Sequence, residues 1–301
     1  MPTLAHGTTG AAFEFHAHPD VWLLIAVLLL GYFGALRYLG PKKRIPIPHS
    51  AEPQVPPGRD IVSRRQKTLY LVGVGALWFG ADWPVHDLSE GYLFSVHMVQ
   101  HTIFTFIAPP LMLMGMPQWL LRTLLAPPRL YRLVRALTRP LVAFAIFNVL
   151  VAVTHWGTVV DASIRSGPVH LTVHTLLVTA AFLMWWPVVA PLPETSRLSA
   201  PGKMLYLFGQ SILPTVPASF LTFATEPIYR AYEEFPRLWG IGVVTDQRMA
   251  GLIMKVGGGL LLWTIIAVMF FKWSSAQERR EVEEITWDDF ERELEAWELR
   301  K

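Results

Sequence analysis

The sequence predicts an all-α, polytopic membrane protein folded as a seven-transmembrane-helix bundle. Of its 301 residues, 52% are hydrophobic and only 16% are charged, whereas about 25% of the residues in soluble domains are charged. Apolar stretches long enough to cross a bilayer recur along the chain. Lysine and arginine are concentrated in every second connection between the apolar stretches: the connections on one side of the membrane hold 21 of the 26, and those on the other side hold 4. Because basic connections stay inside, we expect the N-terminus outside and the C-terminus in the cytoplasm, as an odd number of spans requires.

The composition also limits the chemistry. The chain contains no cysteine, which excludes disulfides, thiolate zinc sites and iron–sulfur clusters. Any metal ligands must therefore be His, Met, Asp or Glu. The net charge of +3 is small, and the basic residues mark topology, so we expect no nucleic-acid partner. No nucleophile with a base, phosphate-binding glycine loop or HExxH motif is present, and we predict no catalytic residues.

The first part of the chain is predicted to be an external segment, one span and a long loop. Residues 1–20 form the external N-terminal segment and contain no Lys or Arg. A secretory signal needs a basic start, so the apolar stretch 21–36 is interpreted as a retained first span. Residues 37–67 are basic and rich in proline, which is typical of an extended linker.

The next elements are three spans and a surface segment. The second span is predicted over 68–85, and the third starts near Gly91. Residues 120–138 form a basic amphipathic segment that should lie along the membrane surface. The fourth span follows over 140–156.

Three more spans complete the predicted membrane domain, residues 21–272. The fifth runs from Pro168, a favourable residue for a first helical turn, to Pro187. The sixth covers 204–224 and the seventh 249–271. Residues 273–301 are predicted to form a cytoplasmic, acidic, amphipathic tail, since their apolar residues recur at helical spacing: Trp287, Phe290, Leu294 and Trp297.

The third span carries two histidines within its apolar length. His97 and His101 lie four residues apart, so on a helix both imidazoles project from one face, about 6 Å apart along the axis. An ionisable residue inside a span is costly in hydrocarbon and indicates a functional site. Pro109 and Pro110 remove two backbone donors, which predicts a kink or break below the histidines.

A second histidine pair opens the fifth span at the same predicted depth. His170 and His174 are also four residues apart, and His155 ends the fourth span on the same side. Two such pairs can converge on one metal ion. The alternative is that each imidazole hydrogen-bonds a neighbouring carbonyl or hydroxyl group.

Copper suits these ligands best. Imidazole binds copper and zinc, and methionine thioethers add a preference for Cu(I). Asp82, Asp246 and Met249 are predicted to lie near the same outer surface. The methionine-rich stretch 112–116 lies toward the cytoplasmic end and is better interpreted as packing. Lys255, inside the seventh span, should pair with Asp82 or Asp246 or extend to the interface.

Three stretches of the chain carry a specific combination of motifs. They contain Ser95-Val-His97-Met98-Val-Gln100-His101 with Pro109-Pro110; His155-Trp156 with His170, His174 and Trp185-Trp186-Pro187; and Pro227-Ile228-Tyr229 with Asp246-Gln247-Arg-Met-Ala-Gly251. In this order and spacing, the chain resembles the CtaG family of seven-helix cytochrome c oxidase assembly factors over about residues 20–275.

The resemblance implies a bacterial plasma-membrane protein that helps to mature a haem–copper cytochrome c oxidase, with copper delivery as its implied task. Its partners would be oxidase subunits and the lipid bilayer. The cofactor would be copper, expected as Cu(I). The residues that the resemblance assigns to the site are His97, His101, His170 and His174 as candidate ligands, His155 nearby, and Gln100, Asp246 and Gln247 around them.

Two other functions remain open from the residues alone. The first is a membrane electron carrier with haem held between histidines of two spans. The second is a proton or metal transporter that uses the histidines as relays. A transporter needs a continuous polar path, and the inner halves of the predicted spans offer few polar residues.

Overall fold

The structure, a computed structural model, describes residues 11–40, 62–195 and 198–298, with only the backbone for 280–288. These residues form helices and connecting turns without any strand, so the predicted all-α class is confirmed. Most of the proline-rich loop and the first half of the N-terminal segment lie outside the described residues. In chain order the helices are α1 (Pro19–Tyr38), α2 (Arg64–Ala81), α3 (Val85–Gly91), α4 (Phe94–Thr102), α5 (Ala108–Gly115), α6 (Gln118–Leu124), α7 (Pro128–Leu137), α8 (Pro140–Thr154), α9 (Gly157–Arg165), α10 (Gly167–Val189), α11 (Ala200–Ile212), α12 (Thr215–Phe223), α13 (Val243–Leu252) and α14 (Gly258–Glu298).

Several of these helices are long and apolar enough to cross a membrane. Among the described residues there are five such spans, and a sixth if α7 and α8, which meet at a bend of 73°, are counted as one. Helix α2 has 18 residues, but Arg64, Arg65 and Lys67 occupy its first turn. The chain is therefore a multi-pass membrane protein. Seven spans and the sidedness of the termini remain predictions.

The third predicted span is one continuous stretch, α4 to α5, despite its double proline. A π-helical segment, Ile103–Ile107, joins the two helices, and the Ala108 amide donates to the carbonyl of Ile103. Proline at position 109 cannot donate to the Thr105 carbonyl, which accepts instead from the Trp185 indole nitrogen at 2.8 Å. The predicted kink or break is thus replaced by a widened turn. A second π-helical segment, Ile253–Gly257, joins α13 to α14.

Close packing of α2 on α5 holds the third span in place. Gly115 is essential to this contact, since a Cβ there would lie 2.4 Å from the backbone nitrogen of Tyr70. Met112 is buried in the same interface, in agreement with its interpretation as a packing residue. Tyr32 of α1 stacks on Tyr70 at 3.8 Å and donates to the Gly115 carbonyl.

The C-terminal tail continues the last span as one helix. Helix α14 has 41 residues, which corresponds to about 60 Å at 1.5 Å per residue. The sequence predicts a separate short helix after residue 273, but the chain contains no Gly or Pro between Phe271 and Glu298 to end the helix. Leu294 and Trp297 are exposed along it.

Candidate metal centre

Helices α4 and α10 bring the two predicted histidine pairs together. His97 and His101 lie in the first turns of α4, and His170 and His174 lie in the first turns of α10. The ring centroids of His97 and His174 are 5.4 Å apart, and those of His101 and His174 are 4.9 Å apart. The pairs therefore face each other. We call this end of the bundle the histidine end.

A carboxylate completes the group. Glu90, on the short helix α3, places Oε1 3.1 Å from Nε2 of His170 and 3.6 Å from Nδ1 of His97. Burial raises the pKa of Glu90, but contact with His97 and the charges of His97 and His170 lower the pKa further, so the net pKa lies below its ordinary value. Glu90 is thus ionised at neutral pH. Together with the four histidines it forms what we call the histidine cluster.

The spacing within the histidine cluster suits one small ion. One nitrogen each from His97, His101 and His174 lie within 4.8 Å of one another, and so do one ligand atom each from Glu90, His170 and His174. Two imidazoles on one ion at about 2.1 Å stand at most about 4.2 Å apart. The ligand atoms would have to move less than an ångström to bind.

Several buried atoms of the cluster have no hydrogen-bond partner within the described residues. They are Nε2 of His101 and, beside the cluster, Nε2 of His155; Nδ1 of His97 and Oε1 of Glu90 also make no regular hydrogen bond, although Oε1 lies within ion-pair range of His97 and His170. Buried polar groups are paired in most native proteins, so unpaired ones need an explanation such as an ion. Four more such atoms lie elsewhere in the described residues, so it is the two unpaired ring nitrogens, on His101 and His155, that favour a ligand site over the alternative of hydrogen-bonded histidines.

His155 sits beside the cluster, at the C-terminal end of α8. Its ring centroid is 5.8 Å from that of His101. Nδ1 lies 2.7 Å from the carbonyl oxygen of Val151, and the Tyr229 hydroxyl donates to the carbonyl of His155 at 2.8 Å. One hydrogen bond therefore fixes the ring of His155 and another fixes its backbone.

More histidines lead from the cluster to the surface. His86, on α3, lies 6.2 Å from His170 between ring centroids, and His18 lies 4.8 Å from His86. His18 and the exposed His16 both contact the carboxylate of Asp87, at 2.8 and 3.0 Å. Burial lowers the pKa of His86, which the nearby Glu90 only partly opposes, so this ring is neutral at pH 7. The described part of the N-terminal segment thus adds to the histidine end.

Asp246 and Gln247 do not belong to the cluster but hydrogen-bond the backbone of elements around it. The buried carboxylate of Asp246 accepts from the backbone nitrogens of Phe94 and Ser95 at 2.7 and 3.0 Å. These are the free amides at the start of α4, which a negative group stabilises. Gln247 accepts from and donates to the backbone of Tyr229. Asp246 thus positions α4, and Gln247 holds Tyr229, whose hydroxyl donates to the carbonyl of His155.

Gln100 positions the rim of the site. Its side-chain nitrogen donates to the carbonyl of Gly80 at 2.7 Å and contacts Nδ1 of His86 at 3.3 Å. Its oxygen accepts from the Ser89 hydroxyl. Gln100 is fully buried, so these contacts tie α4 to α2 and α3.

Three further residues lie away from the cluster. Asp82 accepts from the indole nitrogens of Trp22 and Trp78 at 2.8 and 2.6 Å and so joins α1 to α2. Met249 is 42% exposed on α13. Within the described residues Lys255 forms no ion pair with Asp82 or Asp246; its Nζ lies 5.5 Å from the ring of Phe223, and its extension to the interface stays a prediction.

Glu90 is the residue that the sequence reasoning missed. It lies in a stretch, 86–92, that the sequence assigns to an outer connection, whereas the structure forms α3 there. The available signal was the spacing of His86 and Glu90, four residues apart, which puts both side chains on one face of a helix. The stretch is only seven residues long and lacks an apolar period, so it gives no clear sign of a helix.

The fold and the site define a multi-pass helical membrane protein with a candidate metal centre at one end of its bundle. Residues 52–276 match the family described as cytochrome c oxidase caa3 assembly factor, Caa3_CtaG. The match covers most of the chain, and the protein belongs to this family. The resemblance seen in its motifs is thereby confirmed.

Two curated relatives are similar over a shorter stretch. They are uncharacterised proteins of Mycobacterium bovis and Mycobacterium tuberculosis, each 24% identical over 231 residues. The matched region is 70% of this chain but 34% of each relative, so the chain spans about a third of their length. No solved structure matches the chain.

Proposed function

We propose that this protein holds copper at the histidine end and releases it to a cytochrome c oxidase subunit during oxidase assembly. The observation that carries the proposal is the convergence of two histidine pairs whose ring nitrogens include buried, unpaired atoms. The family supplies the partner, because its description is that of an oxidase assembly factor. Copper is the cargo of this protein, and no chemical step at the site is needed.

The residues of the histidine cluster fit copper. Imidazole nitrogens bind copper in either oxidation state, and the ionised Glu90 offsets part of the charge of a cation. The rings of His86 and His18 continue outward from His170, which gives an ion a route to the surface. Such a holder must also release its ion, and ligands near the end of the bundle serve that need.

The proposed orientation follows from the basic residues. With seven spans, the positive connections face the cytoplasm of a bacterium, and the histidine end faces outward from the plasma membrane. The oxidase would then receive copper on that side.

Haem binding and transport receive less support. The cluster imidazoles pack at centroid distances of 4.2 to 6.1 Å, and a haem would have to separate them. Below the cluster lie large buried side chains, among them Phe147, Leu177 and Trp185, with a small cavity between the first two and His101. These residues favour a site closed on one side.

The test is copper binding by detergent-purified protein. Anaerobic loading with Cu(I), followed by metal analysis and competition with a chromophoric chelator, measures stoichiometry and affinity. The variant His97→Ala/His101→Ala should lose at least about 100-fold in affinity, since outer-shell changes alone cost 10–100-fold. The matched control is His16→Ala, which removes a histidine with a 62% exposed side chain outside the cluster.

The outcomes separate the candidate functions. Copper bound by the wild type and by the control, and lost in the double variant, supports the proposal. A Soret absorption band in the purified protein would instead indicate a haem carrier. Absence of any copper binding after Cu(I) loading would reject the metal assignment and leave a role in oxidase assembly without copper.

A further inference from the structure

A small cavity borders His101, and no other member of the histidine cluster lines it. It borders His101 and His155, the methionines Met98 and Met254, and Thr102 and Thr105. Its interior has about 40 Å³ of room for the centre of a water-sized sphere. A water needs about 10–15 Å³ by the same measure, so the space admits an ion without rearrangement of the helices.

The tautomer of His155 directs a lone pair toward a ligand. Nδ1 lies 2.7 Å from the carbonyl oxygen of Val151, and a carbonyl can only accept, so Nδ1 carries the proton. Nε2 is then an unprotonated acceptor, and it is buried without a partner. Metal-bound histidines are held in the same way, with the other ring nitrogen donating to a carbonyl.

The cavity lining supplies no donor for this lone pair. The Thr102 hydroxyl donates to the carbonyl of Met98 at 2.9 Å, and the Thr105 hydroxyl donates to the carbonyl of His101 at 2.7 Å. Both threonine protons are therefore used. Nε2 of His101 is also buried and unpaired. Two histidines with an unpaired ring nitrogen thus line a cavity whose lining also includes two methionines.

The donor set of the cavity differs from that of the histidine cluster. No carboxylate lines the cavity, so its ligands are neutral imidazoles and thioethers. A divalent cation there would keep its full charge in a poorly solvated site, which is costly. Thioethers prefer soft ions such as Cu(I). The cavity therefore favours a monovalent soft cation.

The backbone around the cavity is unusual as well. Thr105 belongs to the π-helical segment Ile103–Ile107, and Met254 belongs to the segment Ile253–Gly257. Both π-helical segments of the described chain thus border this one cavity. Single π-helical turns are rare and occur often at functional sites. The two π-helical segments bring Met254 and the turn after His101 to the same cavity.

We infer that His101, His155, Met98 and Met254 form a second, deeper site for a monovalent soft cation, distinct from the histidine cluster. A neutral imidazole offers one lone pair, so His101 serves one ion at a time: with both sites filled it binds the deeper ion, and His97, His170, His174 and Glu90 hold the other. This inference deepens the proposed function, on which it rests: the cluster receives copper, and the deeper site retains it as Cu(I). The two sites would hold two equivalents of Cu(I) but one of Zn(II).

The test removes the sulfur atoms and keeps the packing. Met98→Leu/Met254→Leu should reduce Cu(I) binding from two equivalents to one, or lower the affinity of one equivalent at least about tenfold. X-ray absorption at the copper edge should show sulfur scattering in the wild type and none in this variant. Met112→Leu, a buried methionine in the α2–α5 interface, is the matched control and should keep both equivalents. Ag(I) serves as a redox-inert probe.

Failure of this inference can be told apart from failure of the proposed function. Unchanged stoichiometry, affinity and spectrum in Met98→Leu/Met254→Leu would overturn the deeper site, while the cluster could still hold copper. In His97→Ala/His170→Ala the deeper site keeps all its ligands, so we expect one equivalent of Cu(I) with sulfur scattering to remain. A wild type that binds neither Cu(I) nor Ag(I) would overturn both proposals.

Discussion

The histidine end and a second region of the bundle both bury polar side chains, but they pair them differently. Away from the histidine end lies what we call the tryptophan end, where the indole of Trp186 donates to Thr195 and the Tyr206 hydroxyl to the Met184 carbonyl, while the indole of Trp185 reaches the Thr105 carbonyl in the π-helical turn after His101. At the histidine end, Nε2 of His101 and Nε2 of His155 are buried without a hydrogen-bond partner among the described residues. The hydrogen bonds of the tryptophan and tyrosine side chains are completed within the chain, whereas those of these two rings are not; side-chain atoms of Asn148 on α8 and Gln210 on α11 are also unpaired.

This difference suggests that the paired polar groups stabilise the fold and that the unpaired ones serve ligand binding. A buried donor with its acceptor stabilises the fold, whereas a buried polar atom without a partner costs about 1–3 kcal/mol. A chain keeps such costs where an external ligand can complete the pairing. We therefore expect substitutions at the tryptophan end to change stability and those at the histidine end to change metal binding.

The largest expected effect is that of Trp185→Ala. The side chain is 2% exposed, and its removal leaves a cavity and an unpaired Thr105 carbonyl, at a cost of about 3–5 kcal/mol. Thermal unfolding in detergent measures the loss, with Trp156→Ala, 69% exposed, as the control. Equal melting temperatures for the two variants would contradict the assignment of stability to this end.

Asp246→Asn tests a residue that serves both purposes. Its carboxylate accepts from two amides at the start of α4, and an amide can accept from only one of them. We expect a loss of about 1–2 kcal/mol in stability and a fall of copper affinity within about tenfold, because His97 lies in the following turn. Chelator competition and thermal unfolding on one preparation measure both. A loss of affinity as large as that of a ligand variant would indicate direct coordination.

His101→Leu should leave the stability of the metal-free protein within about 1 kcal/mol of the wild type, since it replaces an unpaired polar ring with an apolar group. Copper should then fail to raise the melting temperature of the variant. In the wild type, free copper at about 100 times the dissociation constant should stabilise by about 2.7 kcal/mol. Strong destabilisation without metal would instead show that His101 has a structural partner.

The sequence predicts those features of the structure that depend on residues close together in the chain. Apolar spans and i,i+4 histidine pairs are local patterns, and they located α4, α10 and the two pairs, but they could not show that the pairs face each other. The role of Glu90 was not predicted, because α3 is a single short helix stabilised by its neighbours. The roles of Asp246 and Gln247 escaped for a related reason: their partners are 152 and 18 residues away in sequence, and spacing along the chain does not reveal such contacts.

The smallest expected effect lies on the surface of the tryptophan end. Arg122 donates to the carboxylate of Glu194 at 3.0 Å, and this hydrogen bond lowers the pKa of Glu194, with burial opposing it slightly. A pKa that is lower in the folded protein means that the pair stabilises above the unfolded pKa, about 4.3, and that this contribution disappears as the pH falls through the folded pKa.

The pair is exposed on both sides, so its contribution should stay below about 1 kcal/mol and weaken with salt. The melting temperature of Glu194→Gln should lie slightly below that of the wild type at pH 7, and the difference should vanish at about pH 3. A difference that persists at low pH would show that Glu194 stabilises the connection after α10 through packing. In either case copper binding should not change, because the residue contacts nothing at the histidine end.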